Sequence, residues 1–250
     1  MRGGSARLNI GFESIVPTPT YAKGVSLASF AGLNWDSRAG IVTAFKLSLK
    51  SELRRSQHAL CCYCRRPLGD PRDTDLEHII EKAAHPAFTF EIRNLALSCS
   101  TCNSQKARTY KLLCEKIKKR SKKISGDGVK VNRSPVLSSN LPPVAISSAA
   151  DFRWVHPHLD IFSNHIVLKK GYIFQRRTLK GYRTIQGLQL NALTRVEHRA
   201  AVEKLLTRKG PLSMAFGAFA QMHYHNPNQV FSILADVLRT KISTAYEAIP

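Results

Sequence analysis

The chain has 250 residues, 43% of them apolar, enough for one large core or two small ones. Its 38 Lys and Arg against 17 Asp and Glu leave a net charge of +21, which points to a polyanionic partner, nucleic acid first, with ribosome association or an acidic protein as alternatives. No apolar run approaches the ~20 residues of a membrane span, no apolar N-terminal region marks a signal peptide, and the six cysteines are too few for a disulfide scaffold; the expectation is a soluble, cytoplasmic protein.

Residues 1–35 carry scattered Gly and Pro and read as an extended arm or short strands. From Asp36 to Gln57 the pattern turns helical. Ile41, Phe45, Leu49 and Leu53 recur every four residues, Val42 and Leu47 add to the stripe, and Asp36 or Ser37 is the expected N-cap. Gly69-Asp70-Pro71 marks a turn. DLEHII then reads as a short strand, and FTFEIRNLALSC, with alternating Phe88, Phe90 and Ile92, as a second extended segment. After Cys102 the spacing predicts a helix with Tyr110, Leu113 and Ile117 on one face, running into the basic stretch KIKKRSKK. Residues 124–150, rich in Ser, Pro, Gly and Asn, read as a linker or long loop. HIVLKKGYIFQRRT reads as a hairpin turning at Lys169–Gly171. Three helical patterns close the chain, the last with Val230, Phe231, Leu234, Val237, Leu238 and Ile242 on one face. The expected organisation is an arm, helix and chemistry-bearing domain over 1–123 (core 58–123), the linker over 124–150, and a mostly helical domain with a β-hairpin over 151–250 that binds a partner or substrate. The fold class is α+β, mainly helical.

Cys61-x-x-Cys64 and Cys99-x-x-Cys102 each offer two sulfurs from one tight turn, the pattern of a structural zinc. Four thiolates leave no open coordination position, so this zinc is expected to be structural and not catalytic. CCYC also allows Cys62 in place of Cys61, although the two-residue spacing favours Cys61. Cys114, on the following helix, reads as a core thiol. The 34 residues between the pairs are longer than a simple zinc ribbon needs, and they hold Glu77-His78 and Asn94.

Hydrolysis of a phosphodiester needs a base to take a proton from water and positive charge to stabilise the phosphate and the leaving oxygen. A histidine can do the first at neutral pH, and a divalent cation the rest. Magnesium takes hard oxygen ligands, which Glu77 and Asn103 offer. Neighbours on a strand point to opposite faces, so a strand through Glu77-His78 must end or bend there for both to reach one phosphate. Asn103 follows a zinc ligand directly, so the staple fixes its position.

Cys61/Cys64, Glu77-His78-Ile79, Asn94-Leu95, Cys99/Cys102, Asn103 and Lys106 together resemble the zinc-stapled HNH nucleases. The resemblance implies a ββα-metal finger, with His78 as general base and Glu77 and Asn103 as ligands of one catalytic Mg²⁺ or Mn²⁺. It implies that Asn94 orients the loop and His78 by hydrogen bonds. The acidic position is often Asp in the family and is Glu here; the last is often His and is Asn103 here. His85 has no firm place in the pattern and reads as a loop residue or a phosphate contact, the former favoured. HPHLDIFSNHI, the hairpin and TIQGLQLN look similar to HNH proteins found beside ATPases in bacterial antiviral systems, including the Septu type and some retrons. That implies an effector working with an ATPase partner.

Lys106, Arg108, Lys111 and the KIKKRSKK run would carry phosphate contacts along one helix, positioning nucleic acid without reading bases, so weak sequence preference and strong salt dependence are expected. The leading reading is a metal-dependent HNH endonuclease acting on DNA. A zinc module that only binds nucleic acid would account for the cysteines and charge but leave Glu77, His78, Asn94 and Asn103 without a role. An HNH nuclease acting on RNA is the other alternative, because the site grips a phosphate and not a sugar.

Overall fold

α1 (Gly40–Ser56) forms where the apolar spacing calls for it, burying Val42, Phe45, Leu49 and Leu53. Leu47 lies two residues past Phe45, about 200° around the helix, and is exposed. The cap is Ala39, not Asp36 or Ser37. Those two are held in the preceding turn, where the Ser37 amide donates to the Asn34 carbonyl (3.1 Å) and the Asp36 amide to Asn34 Oδ1 (3.0 Å). The structure, a computed structural model, describes residues 11–69, 74–125, 134–139, 143–169 and 172–197, and of 117–125 the backbone only. The chain divides into two compact units, 1–193 and 194–250. The arm before α1 is irregular among its described residues, apart from a 3-10 turn at Leu27–Phe30, yet it belongs to the core. Phe30 stacks on Phe90 with ring centroids 4.5 Å apart and packs on Phe45 at 4.9 Å.

β1 (Thr74–His78) and β2 (Leu95–Cys99) pair antiparallel, from Thr74↔Cys99 to His78↔Leu95, and α2 (Ser100–Ser125) follows without a break. The alternation of Phe88, Phe90 and Ile92 does not make a strand. Pro86–Phe88 and Ile92–Asn94 are 3-10 turns, and extended pairing begins only at Leu95. All three side chains are buried nonetheless. The Asn94 side chain decides for a loop: its Oδ1 accepts from the Ile80 amide (2.7 Å), and its Nδ2 donates to the carbonyls of Ile80 (3.1 Å) and Phe88 (2.9 Å). On the far side of β2, the fully buried Gln57 at the end of α1 takes the place of a strand. Its Oε1 accepts from the Leu97 amide (2.7 Å) and its Nε2 donates to the Leu97 carbonyl (2.9 Å).

Residues 134–139, inside the segment read as a linker, pack into this core through Val136 and Leu137, and Leu137 bridges Phe152. Beyond lie α3 (Phe162–His165), then β3 (Ile166–Lys169) and β4 (Ile173–Arg176) as an antiparallel hairpin, then α4 (Leu179–Gly187). α4 is a helix that the periodicity did not announce. It packs without room for side chains at two points: a Cβ on Gly181 would come 2.0 Å from the His165 carbonyl oxygen, and one on Gly187 2.1 Å from the Trp154 ring. The HPHLD segment is a buried network. The His156 amide donates to Asp160 Oδ2 (2.7 Å), and Asp160 pairs with Lys180 (2.8 Å) and His165 (3.2 Å). This half seats on the finger where His158 Nε2 meets the Leu95 carbonyl (2.8 Å) and Thr109 Oγ1 donates to the Gly187 carbonyl (2.6 Å). Two two-stranded sheets among helices make the fold α+β. The three closing helical patterns lie outside the described residues beyond 197, as do the turn at 70–73, the hairpin tip at 170–171 and most of the Ser/Pro-rich stretch. Among the described residues no helix is long and apolar enough to cross a membrane.

Candidate active site and metal centre

A loop and the junction of β2 with α2 present the cysteines. In the first, the Cys61 amide donates to the Arg66 carbonyl (2.9 Å) and the Arg65 amide to the Cys61 carbonyl (3.1 Å), with Arg65 at φ 57°. Of the second pair, Cys99 ends β2 and Cys102 lies in the first turn of α2. The sulfurs of Cys61, Cys64, Cys99 and Cys102 lie within 4.8 Å of one another, all buried, and those of Cys64 and Cys99 are 3.9 Å apart. Thiolates bound tetrahedrally at about 2.3 Å stand about 3.8 Å apart, so the spacing fits a zinc ion. Cys61 completes the set; Cys62 is buried outside it, and Cys114 is half-buried on α2. Burial pushes the Cys61 thiol up, while hydrogen bonds from Cys102, Cys61 and Cys64 hold Cys99 far below its usual range. Four buried sulfurs this close can all be thiolates only with a cation among them. The Arg65 guanidinium closes the arm over this loop, 3.5 Å from the Phe12 ring centroid and 4.2 Å from that of Phe162.

Beside the cluster opens a cleft of about 560 Å³, lined by β1, the start of α2, the loop after β1, and Trp35 and Lys46 from the arm and α1. β1 ends at His78, and Asp75, Glu77 and His78 all line the cleft. His78 Nε2 lies 3.1 Å from the Thr89 carbonyl, which can only accept. Nε2 therefore carries the proton, and Nδ1 keeps a lone pair. Burial first, then the Lys82 ammonium, pulls the imidazole down to about 3, so it is neutral at pH 7. The Trp35 ring stands edge-on to it at 4.4 Å between centroids.

The carboxylates divide the cleft differently from the sequence reading. Asn103 Nδ2 donates to Asp75 Oδ2 (2.9 Å), so Asn103 meets Asp75. Glu77 is 1% exposed, accepts from the Tyr63 hydroxyl (3.2 Å) and pairs with Lys106 at 2.6 Å. Burial pushes the Glu77 carboxyl up, and Lys106 opposes it. Burial alone would lower Lys106, but Glu77 and Glu81 outweigh it and hold the ammonium above its usual range. Lys106 also donates to the His78 carbonyl and is 4% exposed. The paired carboxylates draw its side chain inward, to the lining of the cleft, and not outward along α2. Arg108 and Lys111 are exposed on α2, and the side chains of 117–123 lie outside the described residues. Asn94 is fully buried, its side chain bonded to the backbone of Ile80 and Phe88, and it does not line the cleft.

A paired-cysteine staple, a short hairpin whose first strand ends in histidine and a helix with asparagine in its first turn now stand together. Residues 61–109 match the family model of the HNH endonucleases. Curated proteins and solved structures give no match. An HNH domain implies a metal-dependent nuclease acting on nucleic acid. The donor set here agrees, because Asp75, Glu77 and Asn103 bring carboxylate and amide oxygens to one cleft, the ligand type that magnesium and manganese take. Asp75 was missed in the sequence although its signal was present: in DLEH, acids two apart on a strand share a face. Trp35 and Lys46 had no such signal, since only folding brings them to the HNH region.

Proposed function

We propose that the HNH region hydrolyses phosphodiester bonds in DNA, with little sequence preference. The observation that carries this reading is the placement of His78, its Nε2 held by the Thr89 carbonyl and its side chain in one cleft with Asp75, Glu77 and Asn103. His78 Nδ1 takes the proton from the attacking water. Thr89 holds the ring so that this nitrogen stays the acceptor, and Asn94 braces the loop that presents Thr89. Asp75 and Asn103 hold the catalytic Mg²⁺ or Mn²⁺, with Glu77 beside them. When bound, that ion supplies positive charge to the phosphate and to the leaving oxygen. Lys106 holds Glu77 in place and contributes charge from within. Arg108 and Lys111 contact the strand along α2. The four cysteines hold zinc as a structural centre, which sets Asn103 at the head of α2.

The finer reading is a bacterial antiviral effector working with an ATPase partner. Its support is the resemblance of the HPHLDIFSNHI segment and hairpin to the Septu and retron HNH proteins. Matched DNA and RNA oligonucleotides incubated with Mg²⁺ or Mn²⁺ test the substrate. Cleavage of DNA that is lost in Asp75→Ala and Asn103→Ala supports the proposal; cleavage of RNA alone moves the reading to a ribonuclease.

A further inference from the structure

The charged groups of the cleft differ in how they are partnered. The carboxylates are engaged: Asp75 with Asn103, Glu77 and Glu81 with Lys106. The same cleft is lined by Lys46, from α1, and Lys82, from the loop after β1, both beside Trp35. Lys46 Nζ donates to the Trp35 carbonyl at 2.5 Å and lies 4.5 Å from its ring centroid, while Lys82 Nζ lies 5.6 Å from that ring. The same ring meets His78 edge-on at 4.4 Å. Among the described residues neither Lys46 nor Lys82 pairs with a carboxylate. A lysine on a solvated face has no such anchor. Two ammonium groups, set by one indole and facing the candidate base, suit an anion that spans the cleft.

We infer that Lys46 and Lys82, set around Trp35, form a phosphate-binding wall that holds the nucleic-acid strand beside the bond presented to His78. Trp35 and Lys46 lie outside the residues that match the HNH family, so the arm and α1 complete the substrate site. The inference rests on the nuclease reading for its ligand, yet it can be tested without cleavage. A strand entering this cleft meets both the oxygen donors and these two cations, in the lining that also holds His78. The basic face of α2 is then a second line of phosphate binding, separate from this wall.

The test is binding of a 20-base-pair DNA duplex to His78→Ala protein, read by fluorescence anisotropy in salt from 50 to 200 mM. Lys46→Gln/Lys82→Gln in that background should weaken binding about tenfold. It should also flatten the plot of log K against log salt by about 1.8, roughly 0.9 for each phosphate that is no longer neutralised. Lys23→Gln/Lys169→Gln removes the same charge from outside the cleft and should leave the slope unchanged. Lys46→Arg/Lys82→Arg should keep it near the parent. Lys82→Gln alone, which spares the packing of Lys46 on Trp35, should show about half the change. Equal slopes for the cleft and control pairs would overturn the inference, as would failure of the His78→Ala protein to bind the duplex. If the cleft pair flattens the slope but wild-type protein cuts no plasmid, the wall stands and the nuclease reading falls. If plasmid is cut and the slopes are equal, the reverse holds.

Discussion

On the proposed reading, one hydrogen bond sets the chemistry of His78. The Thr89 carbonyl at 3.1 Å fixes the tautomer, and burial with nearby lysines keeps the ring neutral, down to about 3. An ordinary histidine base would lose most activity between pH 7 and 5. Here cleavage of an oligonucleotide, measured as kcat/KM, should stay nearly level across that range, and an acid limb centred near 6.5 would contradict the account. Lys106 invites a second test. Lys106→Met strands Glu77 as a buried carboxylate, so it should cost about 3–5 kcal/mol in urea unfolding, where an exposed lysine would cost almost nothing. The sequence made Glu77, His78 and Asn103 legible because each sits at a fixed step from a cysteine or in one short motif. It could not give their partners, since the inward turn of Lys106 and the pairing of Asn103 with Asp75 depend on the register of β1 against α2.

At the scale of elements, hydrophobic spacing served where one face packs and failed where a side-chain amide took over. α1 follows its four-residue stripe. The Phe88-Phe90-Ile92 alternation has the same strength on paper, yet Asn94 ties Ile80 to Phe88 and bends the segment into 3-10 turns. α4 escaped notice because its two close-packed glycines dilute the apolar pattern. Gly187→Ala should destabilise the protein by about 1–3 kcal/mol, because Trp154 must move, and a thermal melt unchanged from wild type would contradict that packing. The β1–β2 hairpin is too short to hold itself, with five residues per strand. Removing zinc with a chelator should therefore release Asn103 and expose the finger to limited proteolysis, whereas an unchanged digestion pattern would show that the staple is dispensable.

At the scale of the molecule, one buried cluster among the described residues, from Phe12 to Leu190, joins the arm, the finger and the hairpin half. The composition foretold a sizeable core and a polyanionic partner but not which segments share that core, because Ser- and Pro-rich stretches can pack as well as link. Buried histidines tie this assembly to pH. Burial lowers His78 to about 3, His158 to about 4, and His156 well below its usual range. The folded state keeps them neutral while the unfolded chain protonates near 6.5. Their contribution is therefore intact above pH 6.5 and is lost as pH falls toward 4, at about 1.4 kcal/mol per pH unit for each histidine. Urea unfolding between pH 7 and 4.5 should show that decline, and flat stability would contradict it.

The most direct measurement is cleavage of supercoiled plasmid with Mg²⁺ or Mn²⁺ by wild type and by His78→Ala at equal zinc content. Nicking or linearisation by wild type, reduced about 10²–10⁴-fold in the variant, is the result the account predicts. Equal cleavage by both proteins, or none by either in the presence of bound duplex, would contradict it.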